Sequence, residues 1–264
     1  MYTERSRSVS LPTMQLPEGK KIYFSSDNHL GAPTAAESKP REQKFIAWLD
    51  EIKQDAAAIF LLGDLFDFWF EYKTVVPKGF VRVLGKLAEI RDSGIPIHFF
   101  VGNHDLWMDN YFEEELNIPV YHEPKEFVFN NTHFFIGHGD GKGPGDKGYK
   151  RMKKVFTNPF SKWLFRWLHP DIGVRLAQHL SVKNKLISGD EDKQFLGEEN
   201  EWLAQYAKRK LESNHYDYFV FGHRHLPMEI KVGENSSYFN LGDWINHYTY
   251  GVFDGEKFEL KEVQ

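Results

Sequence analysis

Six short β-rich runs, KIYFSSDNH, AAAIFLLGD, IPIHFFVGNHD, THFFIGHGD, YDYFVFGHRH and SSYFNLGDW, pass from apolar residues straight into Gly or Ser beside Asp, Asn or His. A chain with this pattern must bury its strands and expose their polar ends. Helical spacing fills several of the intervals. Phe45, Trp48, Leu49 and Ile52 follow the i, i+3, i+4, i+7 spacing of one helix face. Val81, Leu84, Leu87, Ala88 and Arg91 repeat it before Gly94, a stop signal. A third helix is predicted over roughly 194–213, with Trp202, Leu203, Tyr206 and Ala207 inward. Strand and helix in alternation predict an α/β layered fold. Residues 1–20 lie before the first run and are expected to be a tail or tether, leaving one domain over 21–264. The long interruption at about 145–190, broken by Pro159, Pro170 and Gly173, is expected to be a helical insertion on that domain.

The run ends carry the chemistry. They supply Asp27 and His29, Asp64 and Asp67, Asn103, His104 and Asp105, His138, then His223 and His225. Ligands of open α/β sheets gather at the carboxyl ends of strands, so five strands would deliver these side chains to one place. A single Gly-Asp is ordinarily a turn and a single His ordinarily a satisfied side chain; five such ends together are not explained by turn chemistry. Their nitrogen and oxygen donors suit two divalent cations, and an all-N/O set favours Mn, Fe or Zn over Ca, with Mg also compatible. The chain contains no Cys, which excludes disulfides, thiolate ligands and a Cys nucleophile.

These residues match, in order, the motifs D-x-H, G-D-x-x-D, G-N-H-[DE], G-H and G-H-x-H, and over about residues 21–246 the chain resembles the calcineurin-like metallophosphoesterases. The resemblance implies a layered β-sandwich, αββα, with a helical cap insertion. It implies that Asp27, His29, Asp64 and His225 hold one metal ion, that Asp64, Asn103, His138 and His223 hold the other, and that Asp64 bridges them. His104 would face the substrate's leaving oxygen, where an imidazolium can stabilise or protonate it, with Asp105 as its orienting carboxylate. Asp67 reads equally as a support for the site or as a turn residue.

Within the superfamily the chain looks most like the UDP-2,3-diacylglucosamine pyrophosphatases of lipid A synthesis, on the loop HGDGKGPGDKGY, the basic helical insertion and the late NLGDW. That likeness implies attack at the α-phosphorus, release of UMP, and an insertion that caps the acyl chains. Asp146 matches a substrate-contacting acidic position, and Lys183, Asn184 and Lys185 fall where the family contacts the nucleotide sugar. One departure stands out: the well-known proteobacterial enzymes have Arg where this chain has His104, and a His can transfer a proton that an Arg cannot.

Charge narrows the partners. The formal net charge of −5 argues against nucleic acid, which is bound by neutralising phosphates. From Arg151 to Lys185, however, eight Lys or Arg face the single Asp171, a balance of +7 that leaves −12 for the remainder. The same segment contains WLFRWLHP, residues 163–170, so a basic and aromatic island is expected to meet an anionic amphiphile at a membrane surface. No apolar run approaches the roughly 18–20 residues that span a bilayer, and the N-terminus lacks a secretory signal pattern. The expectation is a cytoplasmic protein, peripheral on the inner membrane. The competing reading is a phosphoesterase acting on another phosphodiester, nucleic acid or cyclic nucleotide; a scaffold without chemistry is disfavoured because every ligand type is present.

Overall fold

In the computed structural model, which describes residues 11–143, 147–176, 195 and 197–264, the apolar runs form two six-stranded sheets. The first has the order β12 (Phe258–Glu262), β11 (Thr249–Phe253), β2 (Lys21–Ser25), β3 (Ala56–Leu61), β4 (Ile97–Phe100) and β5 (Val120–Tyr121). From β2 to β5 its strands are parallel, and β11 and β12 complete it antiparallel. The second has the order β1 (Thr13–Met14), β6 (Lys125–Phe129), β7 (Thr132–Ile136), β8 (Tyr218–Phe221), β10 (Ser236–Leu241) and β9 (Pro227–Gly233). Here β7, β8 and β10 are mutually parallel. Thr13 and Met14, expected in the tail, pair in parallel with Val128 and Phe129 at the sheet edge.

Side chains alternate across each strand, and both faces are buried. Ile22, Phe24, Ala58 and Phe60 point inward to meet Phe127, Phe129, Phe134, Val220, Phe239 and Phe258 between the sheets. Ring centroids 5.2 Å apart for Phe24–Phe60, 5.0 Å for Phe134–Phe253 and 4.6 Å for Phe239–Phe258 show why the chain needs so many phenylalanines. Truncating one such ring to Ala costs about 3–5 kcal/mol. On the outer face of the first sheet, Tyr23, Ile59, Leu61 and Phe99 are covered by α1 (Ala35–Ile52), α2 (Val81–Asp92) and α3 (Tyr111–Leu116). Phe135, Phe219, Phe221 and Ile230 on the other side lie under a single helix, α6 (Trp202–Leu211). The layers are therefore αββα.

Two helices differ from the sequence expectation. Along α2 the buried residues are Val83, Leu87 and Ile90, whereas Val81 is 77% exposed, so the face is rotated from the predicted one. In α6 the start is at Trp202, because Gly197 is left-handed and residues 198–200 form a turn; Leu203, Ala204 and Ala207 are buried. The first helix is as expected, with Phe45, Trp48, Leu49 and Ile52 buried. Thr34 caps it, accepting from the Glu37 amide at 3.2 Å while its hydroxyl donates to the Glu37 carboxylate.

Part of the insertion is described: α4 (Lys147–Phe156), α5 (Pro159–Arg166) and a helical stretch over 170–176. Phe165 seats it on the domain, 4.5 Å from the Phe70 ring and 4.7 Å from Trp107. Beside it Arg166 pairs with Asp109 at 2.9 Å, and Trp107 Nε1 donates to the Phe156 carbonyl at 2.7 Å. The rest of WLFRWLHP turns outward, with Trp163 51% and Trp167 72% exposed. Among the described residues no helix is long and apolar enough to cross a membrane.

His98 on β4 gives the fold a pH dependence. Its ring stacks on Phe60 at 4.5 Å and its Nδ1 lies 3.2 Å from the Tyr121 hydroxyl. Burial, helped by the Arg91 charge, pushes its pKa down from 6.5 to about 4. A depressed folded pKa means the unfolded chain binds the extra proton in that window, so stability is full above pH 6.5 and is lost as pH falls toward 4. Between pH 7 and pH 5 the wild type is expected to lose about 2 kcal/mol that His98→Phe retains. Denaturant unfolding of both proteins across this range checks it; parallel pH curves would reject the assignment.

Candidate metal centre

The loops after β2, β3, β4, β7 and β8 meet at one edge of the sandwich. Their backbones are stitched together: the Asp27 amide donates to the Gly63 carbonyl at 3.1 Å, His29 to Asp64 at 2.9 Å, and Gly222 to His138 at 3.0 Å. Asp27, His29, Asp64, His223 and His225 all adopt left-handed backbone, with φ between 45° and 72°. For residues with a Cβ this conformation costs of the order of 1–3 kcal/mol each and persists only where surrounding contacts impose it. Two glycines make the crowding possible. A Cβ on Gly222 would run into Ser26 Oγ and Asp27 Oδ2, and one on Gly102 into the Asp64 carboxylate.

The donor atoms converge. Asp27, His29 and His225 offer ligand atoms within 4.8 Å of one another, as do Asp27, Asp64 and His138, and also His29, Asp64 and His104. His29 Nε2 and His225 Nε2 face each other at 3.2 Å. Their other nitrogens are engaged: His29 Nδ1 lies 3.4 Å from Asp67 Oδ1, and His225 Nδ1 lies 3.3 Å from Asp243 Oδ2. A carboxylate accepts, so with the proton on Nδ1 of each ring the two Nε2 lone pairs aim at a common point. In His138 the Leu62 carbonyl, 2.7 Å from Nδ1, has the same effect, and Nε2 lies 3.1 Å from Asn103 Oδ1 and 3.4 Å from Asp64 Oδ2. His223 sits with its ring 5.1 Å from that of His138, and its amide donates to Asp27 Oδ2.

One buried atom tests whether a cation fits. Among the described residues Asp27 Oδ1, which is fully buried, has no hydrogen-bond partner, yet it lies 3.4 Å from His225 Nε2 and 3.8 Å from His29 Nε2. An orphaned carboxylate oxygen facing two imidazole lone pairs is a divalent-cation donor set. Electrostatics agree. Burial opposes charge on Asp27 and Asp64, but the imidazoles of His225 and His29 around the first, and of His138 and His104 around the second, hold both well below the usual carboxylate range. Conversely, although burial opposes its charge, Asp64 raises His138 to about 10. The cluster demands positive charge, from protons or from metal.

Several residues support the cluster from behind. Asp67 bears on both His29 and His104, since its carbonyl lies 3.0 Å from His104 Nδ1 and its carboxylate 3.6 Å away. The expected orienter, Asp105, instead spends its two oxygens on the Gly102 amide at 2.6 Å and the Leu65 amide at 2.9 Å. It fixes the loop that carries Asn103 and His104; burial and the neighbouring Asp64 charge push its pKa up to about 7. The NLGDW stretch is a scaffold: Asn240 donates to the Gly222 carbonyl, Asp243 supports His225, and the Trp244 amide donates to the Asp27 carbonyl at 3.1 Å. Arg41 on α1 is buried and donates to the carbonyls of His29 and Ala32. Asp140, two residues beyond His138, pairs at 2.6 Å with Lys153 of α4 and so ties the insertion to this edge. Asp146, Lys183, Asn184 and Lys185 lie outside the described residues.

Asp67→Asn and Asp243→Asn each remove the charge behind a ligating imidazole while nearly preserving shape. Both are expected to weaken divalent-metal affinity about 10- to 100-fold, measured by titrating metal into the stripped protein. Unchanged affinity in both would mean that the imidazoles are oriented by something else.

Residues 20–227 match the family model described as calcineurin-like phosphoesterase. A protein of Porphyromonas gingivalis named UDP-2,3-diacylglucosamine hydrolase is 38% identical, over 92% of this chain and 98% of its own. Proteins with the same name from Actinobacillus succinogenes and Shewanella piezotolerans are 24% and 22% identical, over 85% and 92% of this chain and 92% and 98% of theirs. With its strand-end carboxylates and imidazoles gathered on an αββα sandwich and the family model matching residues 20–227, the chain belongs to the calcineurin-like phosphoesterases and is a metal-dependent hydrolase.

Proposed function

We propose that this enzyme hydrolyses the pyrophosphate of UDP-2,3-diacylglucosamine to UMP and 2,3-diacylglucosamine 1-phosphate, a step of lipid A biosynthesis. The observation that carries the reading is the end-to-end likeness to the Porphyromonas hydrolase, which extends through the insertion. Asp27, His29, Asp64 and His225 would hold one cation, and Asp64, Asn103, His138 and His223 the other, with Mn favoured and Fe or Zn compatible with the same donors. When bound, two divalent cations lower the pKa of water and withdraw charge from phosphoryl oxygens.

The protein's own groups supply orientation. Water attacks the α-phosphorus and the bond to the bridging oxygen breaks, so that oxygen departs with the lipid phosphate. His104, whose Nδ1 proton is held by the Asp67 carbonyl, has Nε2 left to donate to it. Asp105 acts one step back, by fixing the backbone on which Asn103 and His104 sit. Asp146, Lys183, Asn184 and Lys185 are proposed contacts to the nucleotide sugar.

The insertion is proposed as a cap for the acyl chains. In support, Phe160, Trp163, Leu164 and Trp167 are exposed on α5 while Phe165 and Arg166 anchor it. Apolar rings among the basic residues of 151–185 suit an anionic lipid surface, so the enzyme is proposed to work peripherally on the cytoplasmic face of the inner membrane.

Incubation of the protein and Mn with UDP-2,3-diacylglucosamine is expected to release UMP, and Asn103→Ala to abolish that release. Equal UMP from the variant would sink the ligand assignment. Trp163→Ala and Trp167→Ala are expected to weaken turnover of the long-chain lipid several-fold while sparing a short, water-soluble phosphodiester. Equal losses on both substrates would make these rings ordinary structural packing.

A further inference from the structure

Arg224 stands between two ligands, His223 and His225, in a turn where both neighbours are left-handed, φ 72° and 51°. Its guanidinium meets Glu201 as a fork, Nε to Oε2 at 3.0 Å and Nη2 to Oε1 at 2.9 Å. Both residues are buried, 4% and 0% exposed. A desolvated ion pair contributes little stability beyond what apolar side chains of similar volume would give, so folding energy does not explain it. Its planar, two-pronged geometry does something an apolar pair cannot, because it fixes the direction of residue 224.

Glu201 lies at the start of α6, on the chain's return from the insertion, with its amide on the Gly197 carbonyl at 3.2 Å. The helix behind it is seated on the second sheet by Leu203, Ala204 and Ala207, and the next ring, Trp202, lies 5.8 Å from His223. The carboxylate is thus a fixed point from which the 223–225 turn is held. On the opposite side Asn240 holds Gly222 and Asp243 holds His225. The turn is restrained from both flanks.

We propose that Glu201 and Arg224 are positioning residues for the metal centre: their ion pair keeps the 223–225 turn in its left-handed form, so that His223 and His225 each face a separate cation. The proposal rests on the metal-centre reading and not on the identity of the lipid.

The test titrates Mn into the metal-stripped full-length chain by calorimetry, alongside thermal unfolding of the same stripped samples. Wild-type binding is the reference; its absence would overturn the metal-centre reading and the clamp with it. In the double variant Glu201→Met/Arg224→Met, the metal-free melting temperature is expected to stay near wild type while Mn affinity falls at least about tenfold. Retained affinity in the folded double variant, whatever its melting temperature, would overturn the clamp alone and leave the pair a structural contact. Should the double variant not fold, Arg224→Lys decides, because it keeps the charge but not the fork. A tenfold weaker Kd with Lys supports the clamp, and an unchanged Kd overturns it.

Discussion

Two carboxylates, Asp27 and Asp64, are removed from water at the meeting point of five loops, 0% and 1% exposed. Taking one such ion into a protein interior costs several kcal/mol unless positive charge is fixed beside it. Much of the surrounding architecture is organised around that requirement. Imidazoles crowd the two oxyanions, further carboxylates at positions 67 and 243 keep the proton on the far side of the rings, and glycines leave room for the carboxylates themselves. The backbone concedes as well, since five of the candidate ligands sit in a conformation that β-strand exits do not ordinarily adopt. The site is a strained, polar solution held in place by an aromatic sandwich.

The layers explain how such a site is tolerated. Parallel strands point their carboxyl ends the same way, so β2, β3 and β4 of one sheet and β7 and β8 of the other present loops at one edge. The helices α1, α2, α3 and α6 cover the outer faces, and the insertion meets the edge itself through Lys153 of α4. Among the described residues the insertion is seated by Phe165 in its aromatic pocket, Arg166 on Asp109 and Lys153 on Asp140, with others beside them. A segment attached in this manner can present a wide apolar surface without that surface being needed for its own folding.

Much of the fold and of the cluster is legible in the sequence because each candidate ligand closely follows an apolar run, and strand ends are where position in the chain translates most simply into position in space. Supporting residues were harder to read. The resemblance implies Asp105 as the partner of His104, but adjacent side chains in a turn diverge, and the contact comes from Asp67 across 37 positions. Asp243 carried a usable signal, a Gly-Asp ending on a sixth run, yet its role depends on β10 lying beside β8. On α2 the spacing of Val83, Leu87 and Ile90 makes as good a stripe as that of Val81, Leu84 and Ala88, and the sheet beneath selects between them. Arg41 and Glu201 gave no pattern at all; a lone charge in a helix or before one looks solvated until the fold closes over it.

The placement of ligands on both sheets has a mechanical side. Asp27, His29, Asp64 and Asn103 ride on one sheet, and His138, His223 and His225 on the other, while the phenylalanine layer fills the space between. Packed sheets stand roughly 10 Å apart, a spacing set by the side chains that interdigitate there. The rings of Phe24, Phe60 and Phe134 therefore serve as a gauge block: their thickness sets how far one half of the cation cradle stands from the other. A hydrocarbon core with no part in the chemistry fixes the bite of the site, and a methylene added or removed deep between the sheets is felt at the phosphorus.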